Sequence, residues 1–191
     1  MLKKKSKYVM AILGATGAVG KETLDILEER NFPLESLRLF ASKRSAGGTL
    51  SCQGKEWTIE ELTPETSFAG VDFALISATD AISRDYGRRL GAAGVIVIDD
   101  SGVFRMEPDV PLVVPEVNAQ ALKAMPRGIV SIPNCTTTPL VMALKPLLDA
   151  AGVKRVVVTT FQSVSGTGAA AMDELMDQTK DLMALRDIKA E

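Results

Sequence analysis

A glycine-rich turn near the start of the chain joins an apolar segment to an amphipathic one. Residues 14–20 read Gly-Ala-Thr-Gly-Ala-Val-Gly and follow an uninterrupted apolar run at residues 8–13. The run is typical of a buried strand, and residues 18–30 show the spacing of apolar and charged side chains that is typical of a helix. A strand that passes directly into a helix predicts a βαβ unit and therefore an α/β fold.

The same alternation continues along the chain and indicates a mostly parallel sheet. Further strands are predicted at residues 37–41, 71–76 and 95–98, with an edge meander at 49–59 and a second helix at 81–93. Strand–helix–strand connections are right-handed and place helices on the faces of such a sheet. The pattern predicts a Rossmann-like α/β domain with helices on both faces over residues 1–133.

A second, incomplete domain is predicted for residues 134–191. The elements expected there are a helix at 137–151, a strand at 153–161, a loop at 165–168 and a helix from Ala169 toward the end. Pro146 should kink the first of these helices, because proline removes a backbone hydrogen bond. A final strand and helix need neighbours to bury their apolar faces. We therefore expect the beginning of an α+β domain with an uncovered apolar face, and self-association through that face.

The residue types that are rare or absent exclude several kinds of site within these 191 residues. The sequence has no histidine, which removes Ser-His and Cys-His pairs, histidine metal sites and imidazole bases. Its two cysteines, Cys52 and Cys135, are too few for a four-thiolate zinc site, and no metal is expected. They also give no sign of an oxidising compartment, so a cytoplasmic location is expected.

The charge and the length of the apolar runs argue against nucleic-acid and membrane partners. The formal net charge is −2, which gives no basic field for a polyanion. No run reaches the length of a membrane helix. The lysines at the start are expected to be a solvated lead-in rather than part of a signal peptide: Lys3, Lys4, Lys5 and Lys7.

The glycine-rich turn is suited to binding a pyrophosphate. A helix N-terminus presents free backbone N–H groups and positive potential to an anion, and glycines let the anion approach closely. Gly14, Gly17 and Gly20 have the spacing G-x-x-G-x-x-G, which is weaker as a motif than G-x-G-x-x-G, but the strand before and the helix after support it. The alternative is that the three glycines serve only a tight turn.

The residues that follow the second predicted strand favour NADP over NAD. An NAD site would place an acidic residue there to hold the ribose 2′-hydroxyl. This chain has Ser42-Lys43-Arg44-Ser45 instead, and Arg44 and Ser45 can donate to a 2′-phosphate. The alternative is a solvated basic loop.

Cys135 is the candidate nucleophile. It precedes the helix predicted at 137–151, and a helix N-terminus stabilises a thiolate and increases its reactive fraction. The alternative is an inert buried cysteine, which is the usual state of this residue type. Cys52 lies in the predicted edge segment without comparable surroundings, and we expect it to be structural.

Two further polar residues follow predicted strands, where ligands bind in open α/β sheets. Arg105 comes after the strand that delivers Asp99 and Asp100, and it can bind a phosphate or carboxylate; its alternative is a surface ion pair with Asp99, Asp100 or Glu107. Gln162 ends the strand predicted at 153–161. It can orient a substrate carbonyl or merely cap the sheet.

Taken in order along the chain, several segments resemble the N-terminal half of the aspartate-semialdehyde dehydrogenase family. The segments are Gly14–Gly20, Ser42–Gly47, Phe104-Arg-Met106, Val114-Pro-Glu-Val-Asn118, Pro133-Asn-Cys-Thr-Thr137 and Phe161-Gln-Ser-Val-Ser-Gly166. A related family, N-acetylglutamyl-phosphate reductase, usually has glycine in place of Asn134 and a Tyr-Pro pair after the cysteine. Asn134 and Thr136-Thr137 favour the first family, and the second remains an alternative.

The resemblance implies reduction of aspartyl 4-phosphate by NADPH to aspartate semialdehyde, for lysine, methionine and threonine synthesis. It implies that Cys135 attacks the acyl phosphate, that Gln162 is an active-site residue, and that Arg105 and Asn134 bind phosphate or substrate. The cofactor contacts that it implies, together with those of the glycine turn, are Gly14, Thr16, Gly17, Ala18, Val19, Gly20, Arg44, Ser45, Ser165 and Gly166. Members are expected to be homodimers.

The chain also departs from the family pattern. The resemblance implies an acid/base histidine in a second half, which these 191 residues lack, so we expect the chain alone to be an inactive fragment. Asp100 stands where the family usually has Asn, and we expect its charge to weaken phosphate binding by repulsion. Thr79-Asp80-Ala81 replaces a glycine-rich turn and puts one cofactor contact in doubt. The alternative function is a stand-alone NADP(H)-binding or regulatory domain without turnover.

Overall fold

A computed structural model describes residues 4–188 and shows a seven-stranded sheet in the order β3-β4-β2-β1-β5-β6-β7. The strands are β1 (Tyr8–Leu13), β2 (Leu34–Ala41), β3 (Thr49–Cys52), β4 (Lys55–Glu61), β5 (Phe73–Ile76), β6 (Ile96–Asp99) and β7 (Ile129–Ser131). The helices are α1 (Ala18–Glu29), α2 (Asp80–Ala92), α3 (Pro115–Asn118), α4 (Thr137–Ala151) and α5 (Ala169–Met183), with 3₁₀ turns at Ala119–Lys123 and Val164–Thr167.

All neighbouring strands are parallel except β3 and β4, which form an antiparallel hairpin. Gln53 and Gly54 connect that hairpin with positive φ angles of 53° and 69°, as a tight two-residue turn requires. Strand order reverses beside β1, whose neighbours are β2 on one side and β5 on the other. The predicted Rossmann-like α/β fold is confirmed, and the crevice beside β1 is where such folds bind ligands.

Two apolar cores hold the helices to opposite faces of the sheet. On one face, Leu24 and Leu27 of α1 pack in a cluster with Ile12, Leu39 and the fully buried Cys52. The pKa of the Cys52 thiol is raised by burial, which agrees with a structural role.

On the other face, Tyr86 and Leu90 of α2 pack with Val97, Ile129 and Phe104. The prediction of helices on both faces is thus confirmed.

The carboxyl ends of the parallel strands meet along one edge. Leu13 of β1 is in register with Ile76 of β5, Ile76 with Asp99 of β6, and Asp99 with Ser131 of β7. We call this row of strand ends, with the loops that leave it, the carboxyl edge. The opposite side, where the strands begin, is the amino edge.

The chain divides into two compact units, Met1–Pro146 and Leu147–Glu191. The division falls within α4, at Pro146, whereas the sequence predicted a boundary after residue 133; that boundary and the kink at Pro146 stay predictions. Within the second unit, α5 begins at Ala169 as predicted and ends at Met183. The predicted loop at 165–168 is mostly a 3₁₀ turn.

The strand predicted at residues 153–161 is wrong. These residues form no regular element and are exposed, and Phe161 is 95% exposed. An apolar run becomes a strand only where another strand pairs with its backbone groups, and no strand among residues 4–188 pairs with this one.

Other differences are local. β2 begins at Leu34, earlier than predicted, β7 and α3 were not predicted, and Lys5 pairs with Asp72 instead of lying free in solvent. Lys3 lies outside the described residues. None of the helices among residues 4–188 is long and apolar enough to cross a membrane.

Candidate active site

The glycine turn fits tightly against the end of a neighbouring strand. Gly14 has φ +93°, and a Cβ on it would lie 2.0 Å from the carbonyl oxygen of Ser77, just after β5. A Cβ on Gly20 would lie 2.4 Å from the carbonyl oxygen of Gly14. The first glycine therefore allows the close approach of β1 to β5, and the last allows α1 to pack against its own entry turn.

The N-terminus of α1 is open toward the carboxyl edge. Gly17 is the N-cap and supplies no side chain, and the first helical hydrogen bond runs from Lys21 N to Gly17 O at 3.0 Å. Gly17, Ala18 and Val19 are exposed and Thr16 is half-buried. The first N–H groups of the helix are consequently available to an anion at the point where strand order reverses.

The loop after β2 presents its basic residues to solvent. The Ser45 N–H donates to Ser42 O at 2.9 Å, and the loop is tied to Ile59 of β4 by bonds to Gly47 and Gly48. Arg44 is exposed and Ser45 is half-buried, and among residues 4–188 Arg44 has no ion-pair partner. The geometry thus leaves both residues accessible to a ligand that follows the edge from β1 toward β2.

Arg105 is held at the carboxyl edge by backbone carbonyls. Its Nε donates to Ile132 O at 3.0 Å and its Nη2 donates to Asp100 O at 2.9 Å. Among the described residues it forms none of the ion pairs that the sequence left open as an alternative. These bonds use two of the five N–H groups of the guanidinium, which keeps its charge and three donors for a ligand.

Asp100 lies between the end of β5 and Arg105. Its half-buried carboxylate accepts a hydrogen bond from Ser77 Oγ at 3.1 Å. Burial raises the pKa of Asp100, the bond from Ser77 and the charge of Arg105 oppose the rise, and the charge of Asp99 adds to it. A carboxylate therefore does stand close to the candidate anion-binding arginine, as its sequence position suggested.

Cys135 is exposed in the first turn that leads into α4. The carbonyl oxygen of Asn134 accepts from Thr137 N at 2.9 Å and from Thr138 N at 3.2 Å, so the helical bonding pattern already begins at Asn134. The Asn134 side-chain Oδ1 accepts from Thr136 N at 2.9 Å and from Thr136 Oγ1 at 2.6 Å. Asn134 thus acts as a cap. Cys135 is exposed and not buried, and its reactivity stays a prediction.

Gln162, Ser165 and Gly166 come together within the second unit. A Cβ on Gly166 would lie 2.8 Å from the Gln162 side-chain nitrogen. Ser163 caps the 3₁₀ turn, and its hydroxyl lies 2.9 Å from that of Ser165. The three sequence-predicted residues of this unit are therefore neighbours, and their roles stay predictions.

The structure adds two residues that the sequence analysis did not single out as site residues. Ser77 touches both the glycine turn and Asp100, and the fully buried Asp99 orders the loop that carries Arg105. Both stand at the carboxyl end of a strand, which is the signal by which they could have been found. Among residues 4–188, no cluster of acidic and thiol side chains is arranged to hold a metal ion.

The fold and this edge define a nucleotide-binding domain, and comparison with known families specifies which one. The model of the family described as "Semialdehyde dehydrogenase, NAD binding domain" matches residues 9–125. The model described as "Semialdehyde dehydrogenase, dimerisation domain" matches residues 144–191. The chain belongs to the semialdehyde dehydrogenase family, a family of oxidoreductases.

Its relatives are, more narrowly, aspartate-semialdehyde dehydrogenases. The enzyme of that name from Aquifex aeolicus is 52% identical over 174 residues, which are 91% of this chain and 51% of the relative. The one from Bacillus subtilis is 44% identical over 182 residues, 95% of this chain and 52% of the relative. The chain spans about half the length of the curated relatives that it matches.

Solved structures agree with this assignment. Aspartate semialdehyde dehydrogenase II from Vibrio cholerae, complexed with ASA, superposes with a TM-score of 0.91 at 42% identity, over 98% of this chain and 56% of that one. The enzyme from Candida albicans with NADP superposes with a TM-score of 0.61 at 31% identity, over 78% and 48% of the two chains.

Proposed function

We propose that this chain is the NADP-binding and acyl-capturing part of an aspartate-semialdehyde dehydrogenase. The observation that carries the proposal is the exposed Cys135 in the first turn of a capped helix, on the same sheet edge as Arg105 and the open glycine turn. The solved Candida relative contains NADP, and the exposed Arg44 and Ser45 support the same cofactor here.

The residues of the edge fit the successive steps of a reductive dephosphorylation. The Cys135 thiolate attacks the acyl carbon of aspartyl 4-phosphate, the carbon–oxygen bond to phosphate breaks, and phosphate leaves as an anion. Arg105 stabilises that anion, while Asn134 holds the thiol turn in place. NADPH, when bound, supplies the hydride that reduces the Cys135 thioester. Release of the thiolate then gives aspartate semialdehyde.

The glycine turn and the N-terminus of α1 would hold the pyrophosphate of that cofactor. Gly14 and Gly20 leave no room for a side chain, and Ala18 and Val19, which begin the helix, are exposed and have no capping side chain. β1 and β7 are three inter-strand spacings apart, about 14 Å. An extended dinucleotide can therefore lie along the edge from the turn toward Cys135.

We infer that turnover needs a proton-transfer group from outside these 191 residues. The sequence has no histidine. Burial raises the pKa of Asp100, but the hydrogen bond from Ser77 favours its carboxylate form, so we do not assign the proton transfer to Asp100. The match to a dimerisation domain also supports a homodimer, to which exposed apolar side chains of the second unit, such as Phe161 and Leu175, would contribute. A cytoplasmic location stays a prediction.

The cofactor proposal is tested by titrating the chain with NADPH and NADH in parallel. We expect NADPH to bind more tightly, and Arg44→Ala to weaken NADPH about tenfold while leaving NADH unchanged, because one charge-assisted contact is lost. Arg30→Ala, an exposed arginine at the end of α1, is the matched control and should change neither. Equal binding of both nucleotides by the wild type would contradict the assignment.

The acyl-capture proposal is tested by weighing the intact chain after incubation with acetyl phosphate. We expect one acetyl group on the chain, lost in Cys135→Ser and retained in Cys52→Ala, whose sulfur is fully buried. A chain that binds NADPH but never becomes acetylated would instead favour the alternative, a stand-alone nucleotide-binding domain without turnover.

A further inference from the structure

The carboxylate of Asp99 is fully buried at the end of β6 and is bonded on one side only. Its Oδ1 accepts from Ser101 N at 3.0 Å and from Ser101 Oγ at 2.6 Å. Its Oδ2 is buried and has no hydrogen-bond partner among the described residues. A buried carboxylate with an unpartnered oxygen lowers stability relative to an apolar side chain of the same shape. Stability alone therefore does not account for a buried polar acceptor at this position.

The hydrogen bonds of Asp99 begin a closed series of hydrogen bonds that includes Arg105, and we call this series the circuit. Ser101 Oγ accepts from Val103 N at 3.1 Å, which shapes the loop before Arg105. The Arg105 guanidinium then returns to the strand ends by donating to Ile132 O at 3.0 Å, and Ile132 N donates to Asp99 O at 2.9 Å.

The circuit connects the candidate anion site to the candidate nucleophile. Ile132 is three residues before Cys135, so the carbonyl that holds Arg105 belongs to the segment that enters the thiol turn. Phe104, which is fully buried beneath α2, anchors the other side of the loop. The placement of the guanidinium relative to the thiol thus depends on how Asp99 orders the loop through Ser101.

We propose that Asp99 is a positioning residue, which through Ser101 fixes the guanidinium of Arg105 at the distance from Cys135 that an anionic acyl donor requires. The inference rests on the proposed function, since it assigns Arg105 and Cys135 to one site. The Asp99 side chain is fully buried, and among the described residues it is hydrogen-bonded only to Ser101. Its carboxylate is used for the two acceptor bonds of Oδ1, and its charge is incidental to that task.

The test compares two alkylating agents of similar shape on the intact chain at neutral pH. Iodoacetate carries a carboxylate and iodoacetamide is neutral, so the ratio of their rates at Cys135 measures attraction of an anion by Arg105. Changes in thiol reactivity or exposure alter both rates together and leave the ratio constant. Cys52 is buried, and rates are read from the mass of the peptide that contains Cys135.

We expect Asp99→Leu to lower the ratio about fivefold, close to the effect of Arg105→Met, since a displaced guanidinium loses most of a charge-assisted contact. Asp99→Asn keeps an acceptor at Oδ1 and should retain the wild-type ratio. Asp72→Leu, which removes a buried aspartate at the amino edge, is the matched control and should lower stability without changing the ratio. If Asp99→Leu fails to fold, Ser101→Ala interrupts the same circuit and should lower the ratio about twofold.

The outcomes distinguish a failure of the positioning role of Asp99 from a failure of the proposed function. A ratio reduced by Arg105→Met but unchanged by Asp99→Leu, or by Ser101→Ala where Asp99→Leu does not fold, overturns the positioning role and leaves the proposed function intact. A ratio that Arg105→Met does not change removes the anion site itself. A reduced ratio in Asp99→Asn would show that the charge, and not the geometry of Oδ1, is what matters.

Discussion

The two edges of the sheet differ in how their most deeply buried aspartates, Asp72 and Asp99, and their arginines, Arg127 and Arg105, are bonded. At the amino edge, Asp72 accepts from Lys5 Nζ at 2.6 Å and from Val9 N at 3.0 Å, so both of its oxygens are bonded. Arg127 is likewise paired, with Glu107 at 3.2 Å and with Asp109. At the carboxyl edge, Arg105 is bonded only to carbonyls and Asp99 keeps an unpartnered oxygen. Asp72 and Arg127 thus have charged partners, whereas Arg105 has none among the described residues. An unpartnered buried oxygen is not special to the carboxyl edge, because Asp109 keeps one as Asp99 does.

A second difference between the edges is visible in two glycines that share a backbone conformation. Gly94 at the amino edge has φ +86° and nothing within 4 Å of an added Cβ, whereas Gly14 at the carboxyl edge has φ +93° and the Ser77 oxygen at 2.0 Å. The amino-edge glycine is needed only for its backbone angle. The carboxyl-edge glycine is needed for its angle and for the close approach of β1 to the residue that follows β5.

The largest expected effect comes from adding one methyl group at each edge. Gly94→Ala should lower the free energy of unfolding by about 1 kcal/mol, the penalty for a left-handed backbone with a side chain. Gly14→Ala should lower it by more than about 3 kcal/mol, since the backbone of β1 or of residue 77 must also move. Urea unfolding of both variants measures the difference. Similar losses would show that the two edges tolerate an added methyl group equally.

A smaller effect is expected from neutralising the buried aspartate of each edge. Asp72→Asn removes a charge-assisted bond to Lys5 and should lower the free energy of unfolding by about 2 kcal/mol. Asp99→Asn keeps the acceptor and replaces an unpartnered charge, so we expect a change within about 0.5 kcal/mol. Urea unfolding at pH 7 distinguishes the two. A larger loss in Asp99→Asn would mean that its carboxylate contributes to stability after all.

The parts of this molecule that the sequence could predict are those with local causes. The periodicity of residues 8–30 and the spacing of the glycines predict β1, the turn and α1, because each depends on neighbours within a few residues. The thiol at a helix start was predictable for the same reason. β7, with three residues, is too short to show any periodicity.

The parts that could not be predicted depend on contacts between distant residues. The apolar run at 153–161 was misassigned because strand formation needs a partner that periodicity does not reveal. Lys5 and Asp72 are 67 residues apart, so their pair was invisible in the sequence. The carbonyl partners of Arg105 were also invisible, because any residue type can supply a backbone oxygen.

The pH dependence of stability should differ in sign between the edges. Bonds from Lys5 and Val9 outweigh burial and lower the pKa of Asp72, whereas burial raises the pKa of Asp100. Asp72 therefore stabilises the fold above the unfolded-state value of about 3.9, and this stabilisation is lost as pH falls through its folded pKa. Asp100 has the opposite effect, because its pKa is higher in the folded chain than in the unfolded chain. Its ionisation therefore lowers stability as pH rises from the unfolded-state pKa of about 3.9 through its folded pKa.

This smallest of the three effects is measured by urea unfolding between pH 3 and pH 7. Relative to the wild type, Asp72→Asn should lose more stability at pH 7 than at pH 3, because the bond that it removes is formed by the carboxylate. Asp100→Asn should gain stability toward pH 7, because it removes a half-buried charge that Ser77 and Arg105 only partly compensate. Parallel pH profiles for the two variants would mean that both edges satisfy their carboxylates equally, and that the carboxyl edge keeps no electrostatic strain for a ligand to relieve.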